Sequence, residues 1–215
     1  MRRGLIVLAV VLGLLVVADR VAVVAAQRVV AGRIQSDQGL SQQPGVTIHG
    51  FPFLTQALAG RYGRVTLRVH DLRDRAVPVQ RLTVHLHGVH VALGAVISQR
   101  LTRVPIDRAN ATLLLSYGDV NAYLGGHHLS VSEGADGQVT VTGSVSVAGH
   151  TASASASGRV DVQGSDLVVT VGHGLDVRLP LGGLPFRIAL VGAKATKAGI
   201  VVQATASGLV LHPSG

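Results

Sequence analysis

The chain is predicted to be an α+β protein in which a long N-terminal helix is packed in a strongly curved antiparallel sheet. Three observations lead there. Apolar residues at 21, 24, 25, 29, 30 and 34 recur at helical spacing, with Arg20, Gln27, Arg28, Arg33 and Gln35 between them. From Val46 onward the apolar period falls toward two, as in strands with one buried face. The second half is then a run of short apolar strands separated by turn residues.

In order, the first helix covers residues 19–36 and is ended by Gly39 and Pro44-Gly45. Val65, Leu67 and Val69 alternate with Thr66, Arg68 and His70, and Leu82, Val84 and Leu86 alternate with Thr83, His85 and His87. Residues 91–100 and 117–124 read as short helices, the second capped by Ser116. Val139-Val141, Val145-Val147, Ala152-Ala154-Ala156, Val160-Val162 and 167–171 form successive hairpins, with turns near Gly149 and at Gly164-Ser165. The alternating Ser/Ala strand carries almost no side-chain volume on its inward face. Either a helix approaches it closely or a groove stays open above it. Leu179-Pro180-Leu181-Gly182-Gly183-Leu184-Pro185 reads as an irregular apolar loop that asks for a partner. Strands over 186–193 and 199–211 follow, for about eight in all.

The length of 215 residues suits a signal peptide or signal anchor over 1–26 and a single domain over 27–215. Aromatics are 3 % and Trp is absent, so the interior must be built from Val, Leu and Ala. The absence of Cys excludes disulfides, thiolate metal sites, thiol nucleophiles and the acylated Cys of a bacterial lipoprotein. Arg2-Arg3 followed by the apolar run 4–18 and Asp19-Arg20 has the form of an export signal. The run is shorter than the ~20 residues that span a bilayer comfortably, and Val16-Val17-Ala18 offers a cleavage site before Asp19. The apolar character resumes at Val21–Ala26, so an uncleaved anchor stands as the other reading. Either way, the two arginines place the rest outside the cytoplasmic membrane, in the cell envelope.

The formal charge of +8 is concentrated. Residues 61–108 hold nine arginines against Asp71, Asp74 and Asp107, while residues 109–215 are close to neutral. A basic half on an exported chain suits anionic lipid headgroups or envelope polymers, and solvated strand faces are the alternative. Nucleic acid is not expected, because export and the lack of aromatic residues among the arginines argue against it.

Catalytic signatures are missing. The chain has no Gly-x-Ser-x-Gly elbow, no Gly-x-x-x-x-Gly-Lys phosphate loop and no His-Glu-x-x-His helix, so it is not expected to be an enzyme. His85, His87 and His90 lie close in sequence and His127-His128 is a second pair, but no acidic residue has a ligand-like spacing to them. They read as polar-face histidines; no metal and no cofactor is assigned.

Residues 46–69 carry the strongest local signal. A short strand runs into Gly50-Phe51-Pro52-Phe53-Leu54-Thr55-Gln56 and then into Gly60-Arg61-Tyr62-Gly63-Arg64. The Phe-Pro-Phe corner serves as a core plug or as the lining of a groove mouth or bilayer contact. Arg61 and Arg64 are the headgroup candidates, since guanidinium forks bind phosphate in bidentate fashion. Tyr62 can hydrogen-bond an inositol or glycerol hydroxyl. Phe51, Phe53 and Leu54 at the corner, Ala152, Ala154 and Ala156 on the small-residue strand, and Leu184 and Phe186 of the apolar loop complete the candidate lipid-binding set.

Val46-Thr-Ile-His-Gly-Phe-Pro-Phe-Leu-Thr-Gln56 followed by Gly60-Arg61-Tyr62 resembles the signature of the LmeA-like phospholipid-binding proteins of actinobacterial cell envelopes. The apolar N-terminus, the Ala/Val/Arg helix and the C-terminal Leu-Pro-Phe-Arg-Ile strand pair are similar in order and spacing, over roughly 19–211. The resemblance implies a tubular lipid-binding architecture, phosphatidylinositol-type lipids as ligands and a supporting part in lipomannan assembly. The expected function is therefore a non-enzymatic envelope protein that holds phospholipid in an apolar groove and works at a membrane surface. A structural or adhesive module that binds anionic polymer through its basic face is the second reading. Internal volume separates the two, because a carrier needs a continuous apolar cavity of at least several hundred Å³.

Overall fold

The computed structural model describes residues 2–72, 78–92, 103–125, 128–147, 150–172, 175–181 and 189–211. The side chains of residues 144–147, 150–152 and 175 fall outside that description. Its class is α+β, with one long N-terminal helix and a sheet-rich body that includes a strongly curled antiparallel half-barrel sheet.

Helix α1 (Arg2–Asp37) is unbroken. Ala, Leu and Val fill most of its positions and no proline interrupts it, so the segment predicted over 19–36 is the second half of a longer helix. It ends where Leu40 N–H reaches the Gln35 carbonyl at 3.0 Å, with Gly39 at positive φ. The predicted buried stripe is corrected. Asp19, Val23 and Ala31 are buried, whereas Val21, Val24, Ala25, Val29 and Val30 are exposed and Ile34 is half-buried. Apolar residues fill all but two positions from 21 to 31, so their spacing cannot choose a face.

The chain divides into two compact units. The first contains α1, strand β1 (Gly45–His49), helix α2 (Phe53–Ala59), the start of β2 (Arg61–Leu72), the end of β3 (Val79–His90) and the start of β4 (Val104–Leu115). β1 pairs antiparallel with β2, Ile48 opposite Val65 and His49 opposite Arg64. Between α2 and β2, Gly60 takes φ 64° and caps the helix. A side chain there would also crowd the Val91 carbonyl, to whose residue Gly60 is tied through Val91 N–H at 2.9 Å. The core of this unit is Val23, Phe53, Ala57, Tyr62, Val89, Val104 and Ile106.

The second unit holds helix α3 (Tyr117–Leu124) and strands β5 (Leu129–Glu133), β6 (Val139–Val147), β7 (His150–Gln163), β8 (Asp166–Val171), β9 (Leu175–Pro180) and β10 (Ala189–Thr196), with the first part of β11 (Gly199–Leu211). Ser116 caps α3 as predicted: its Oγ accepts the Asp119 N–H at 3.1 Å. The Asn121 side chain bonds both backbone groups of Val131, which fixes α3 to β5. β5 to β9 form one antiparallel sheet in sequence order, and the other sheet runs β1-β2-β3-β4-β11-β10.

Eleven strands exist among the described residues, more than the sequence predicts. β4 is the clearest addition. One predicted feature also shifts. Leu179 and Pro180, expected in an irregular loop, end β9, where Pro180 sits opposite Asp166. An edge strand tolerates a proline because its outer N–H is not needed for the ladder. The helix predicted over 91–100 and the loop residues 182–185 lie largely or wholly outside the described residues.

Candidate functional site

The corner at residues 50–56 is built by two devices. The Phe51-Pro52 peptide bond is cis, and α2 starts directly after it. Pro52 at the N-cap has no side chain able to accept the first helical N–H groups. Asp19 supplies that acceptor from α1: its carboxylate takes the Leu54 N–H at 2.8 Å and pairs with Arg20 at 2.6 Å. Asp19 is 2 % exposed, a charge folded into the protein rather than presented on the apolar helix. Gln56 fixes the other side of the corner, donating to the His49 carbonyl and accepting from Gly63 N–H.

These contacts divide the two phenylalanines. Phe53 is buried, with its ring centroid 6.1 Å from that of Tyr62. Phe51 is 62 % exposed, and the Arg20 guanidinium lies over its ring at 4.9 Å. Phe53 is thus a core plug, while Phe51 is left on the surface. Leu54 is half-buried against the same cluster as Phe53 and Tyr62. Tyr62 is mostly a packing residue, and burial raises its phenol above the ordinary tyrosine value, so it stays neutral.

Arg61 and Arg64 are both exposed and flank Tyr62 at the start of β2. Arg61 stands 3.9 Å from Asp107, whose other oxygen meets His90 at 3.0 Å. Arg64 sits opposite His49 in the ladder. His49 and His85 both reach the buried Thr66 hydroxyl, at 2.9 and 3.2 Å. Of His85, His87 and His90, His85 is thus bonded to a threonine and His90 to an aspartate. Among the described residues, no group of three or more His, Asp or Glu is placed to hold a metal ion.

In the second unit, Ala154 and Ala156 are exposed on β7. Ala154 faces Gly143 and Ala156 faces Val141 in the pairing with β6, so the apolar side of the sheet is low there. Leu184 and Phe186 lie outside the described residues, as does the side chain of Ala152. A cleft of about 300 Å³ is lined by Glu133, Gly134, Gly137, Gln138 and residues 194–197. Its carboxylate, amide and two lysines make it unsuited to acyl chains.

Sequence reasoning missed Leu58, Asp107 and the contacts of Asp19 with Leu54 and of Arg20 with Phe51. Asp19 had a readable signal, an acid inside an apolar helix, which demands a partner. Leu58, 78 % exposed on α2, had none.

No curated protein and no solved structure matches the chain. A family model does, described as LmeA-like phospholipid-binding and matching residues 17–205 of the 215. The matched span includes the Asp19 cap, the Phe-Pro-Phe corner, both arginines and the small-residue strand, and the chain belongs to the LmeA-like phospholipid-binding family.

Proposed function

We propose that this protein binds an anionic phospholipid, of the phosphatidylinositol type, on the outer side of the cytoplasmic membrane, and that it supports lipid or lipomannan assembly without catalysing a reaction itself. The observation that carries the headgroup assignment is the pair of exposed arginines directly beside the Phe53-Leu54-Tyr62 cluster. Apolar packing and cationic forks lie within one short stretch of chain, the combination an amphipathic ligand with a phosphate requires. Acyl chains would gain ~25 cal/mol for each Å² of apolar surface removed from water, so affinity resides in the chains and charge selects the headgroup. Ala154 and Ala156 are the acyl-chain candidates on β7, where small residues leave room above the sheet. Ala152, Leu184 and Phe186 remain in the proposed lining by their sequence positions.

Two substitutions test the assignment in an uptake assay with vesicles of anionic or zwitterionic lipid. Arg61→Glu is expected to weaken binding of anionic lipid about tenfold while leaving zwitterionic lipid nearly unchanged, since each basic residue near an anionic surface contributes ~1 kcal/mol. Ala154→Phe is expected to reduce uptake of both lipids by filling the low part of the sheet. Equal losses on both lipids for Arg61→Glu would remove it from the headgroup site. Unchanged uptake in Ala154→Phe would remove β7 from the acyl site.

A further inference from the structure

We propose that α1 stays on the protein as a membrane span, and that α2 with the Phe51 corner is embedded in the outer leaflet beside it. This rests on the lipid-handling reading for the choice of a bilayer as the occupant. The apolar run 4–18 measures ~22 Å as a helix, short of the ~30 Å hydrocarbon core. Asp19 and Arg20 are what interrupt it in the sequence. In the structure neither is offered to lipid as a bare charge: Asp19 is buried against the Leu54 N–H, and Arg20 neutralises it while lying over Phe51. The outward face continues past them, because Leu14, Val17, Val21 and Val24 are all exposed at helical spacing. Counted from Gly4 to Ala26 the apolar length becomes ~34 Å, enough to cross.

The Asp19-Leu54 bond then sets a depth. Asp19 lies seven residues, or ~10 Å of helix rise, before Ala26, so α2 is held within the outer-leaflet end of the span. The corner and helix that Asp19 holds against α1 present Phe51 and Leu58, 62 % and 78 % exposed. Arg28 and Arg33 follow on α1, Arg33 paired with Asp37 at 3.7 Å, and Arg61 and Arg64 follow α2 in the chain, as cations that suit anionic headgroups. Lipid leaving the leaflet would meet the Phe53-Leu54-Tyr62 cluster without crossing water.

The absence of tryptophan makes the test direct, since a single introduced indole is the only one in the chain. Full-length Leu58→Trp, Phe51→Trp and, as a solvent control, Val191→Trp are reconstituted in vesicles of phosphatidylglycerol and phosphatidylcholine with brominated acyl chains. Indoles at 51 and 58 are expected to be blue-shifted and quenched about twofold or more, and the one at 191 to do neither. Intact mass of the wild-type protein from bacterial membranes should retain residues 2–18. Unquenched, solvent-like emission at both 51 and 58, or a mass showing cleavage before Asp19, overturns the proposal. Quenching with no lipid bound elsewhere in the protein would uphold the embedded corner while removing the carrier reading.

Discussion

Phe53→Ala is expected to lower the stability of the protein by about 3–5 kcal/mol, measured by urea unfolding. The ring belongs to a buried cluster with Val23, Ala57, Tyr62, Val89, Val104 and Ile106, which come from α1, α2, β2, β3 and β4. Five elements contribute to that cluster, so no single movement can close the space the ring would leave. Phe51→Ala provides the contrast within the same motif. That ring is mostly exposed and its recorded partner is the Arg20 guanidinium, so its loss should cost under about 1 kcal/mol in solution. Equal effects for the two substitutions would contradict the division of labour between them.

Gly199→Val is expected to cost about 2–6 kcal/mol and to lower the melting temperature accordingly. Gly199 opens β11 at φ 137°, a backbone state that β-branched residues do not adopt without strain. A Cβ there would run into the Leu115 carbonyl, and its neighbourhood cannot yield because Tyr117 and Thr196 are joined by a hydrogen bond of 2.9 Å. The β10-β11 turn and the start of α3 are thus held at contact distance. Gly63→Ala is the matched control: nothing lies within 4 Å of the added carbon, and stability should change by less than about 0.5 kcal/mol. A neutral Gly199→Val would mean that this close approach does not exist in solution.

Much of the fold is legible in the sequence, and the failures share a cause. Strand alternation announces β2 and β3, Ser116 announces the cap of α3, and the Val/Ser and Ala/Ser patterns announce β6 and β7. The buried face of α1 is not legible, because Val and Ala surround the helix almost completely. What selects the face is Asp19, whose partner is 35 residues away in α2. β4 was overlooked because Pro105, Asp107 and Arg108 obscure its alternation, although Val104, Ile106, Ala109, Ala111, Leu113 and Leu115 are all buried.

The candidate site follows the same rule. Arg61, Arg64 and the Phe-Pro-Phe corner are contiguous in sequence, so their proximity was readable. The exposure of Leu58, the placement of Arg20 over Phe51 and the Arg61-Asp107 pair depend on how separate segments meet. The Asp107 carboxylate matters for headgroup choice. A phosphate approaching Arg61 must share it with an acid 3.9 Å away, whereas Arg64 has no ion pair among the described residues. Arg64 is therefore the more available of the two forks, and Arg61 the one whose charge reversal is felt twice, through lipid and through Asp107.

The most direct test of phospholipid binding is native mass spectrometry with lipid extraction on the full-length protein, purified from bacterial membranes and freed of detergent in the gas phase. One phospholipid per chain, anionic in headgroup and retained after extended washing, is the predicted result. A bare protein mass that persists after incubation with vesicles of anionic lipid would contradict phospholipid carriage and leave a filled, polymer-binding envelope module as the account of its basic face.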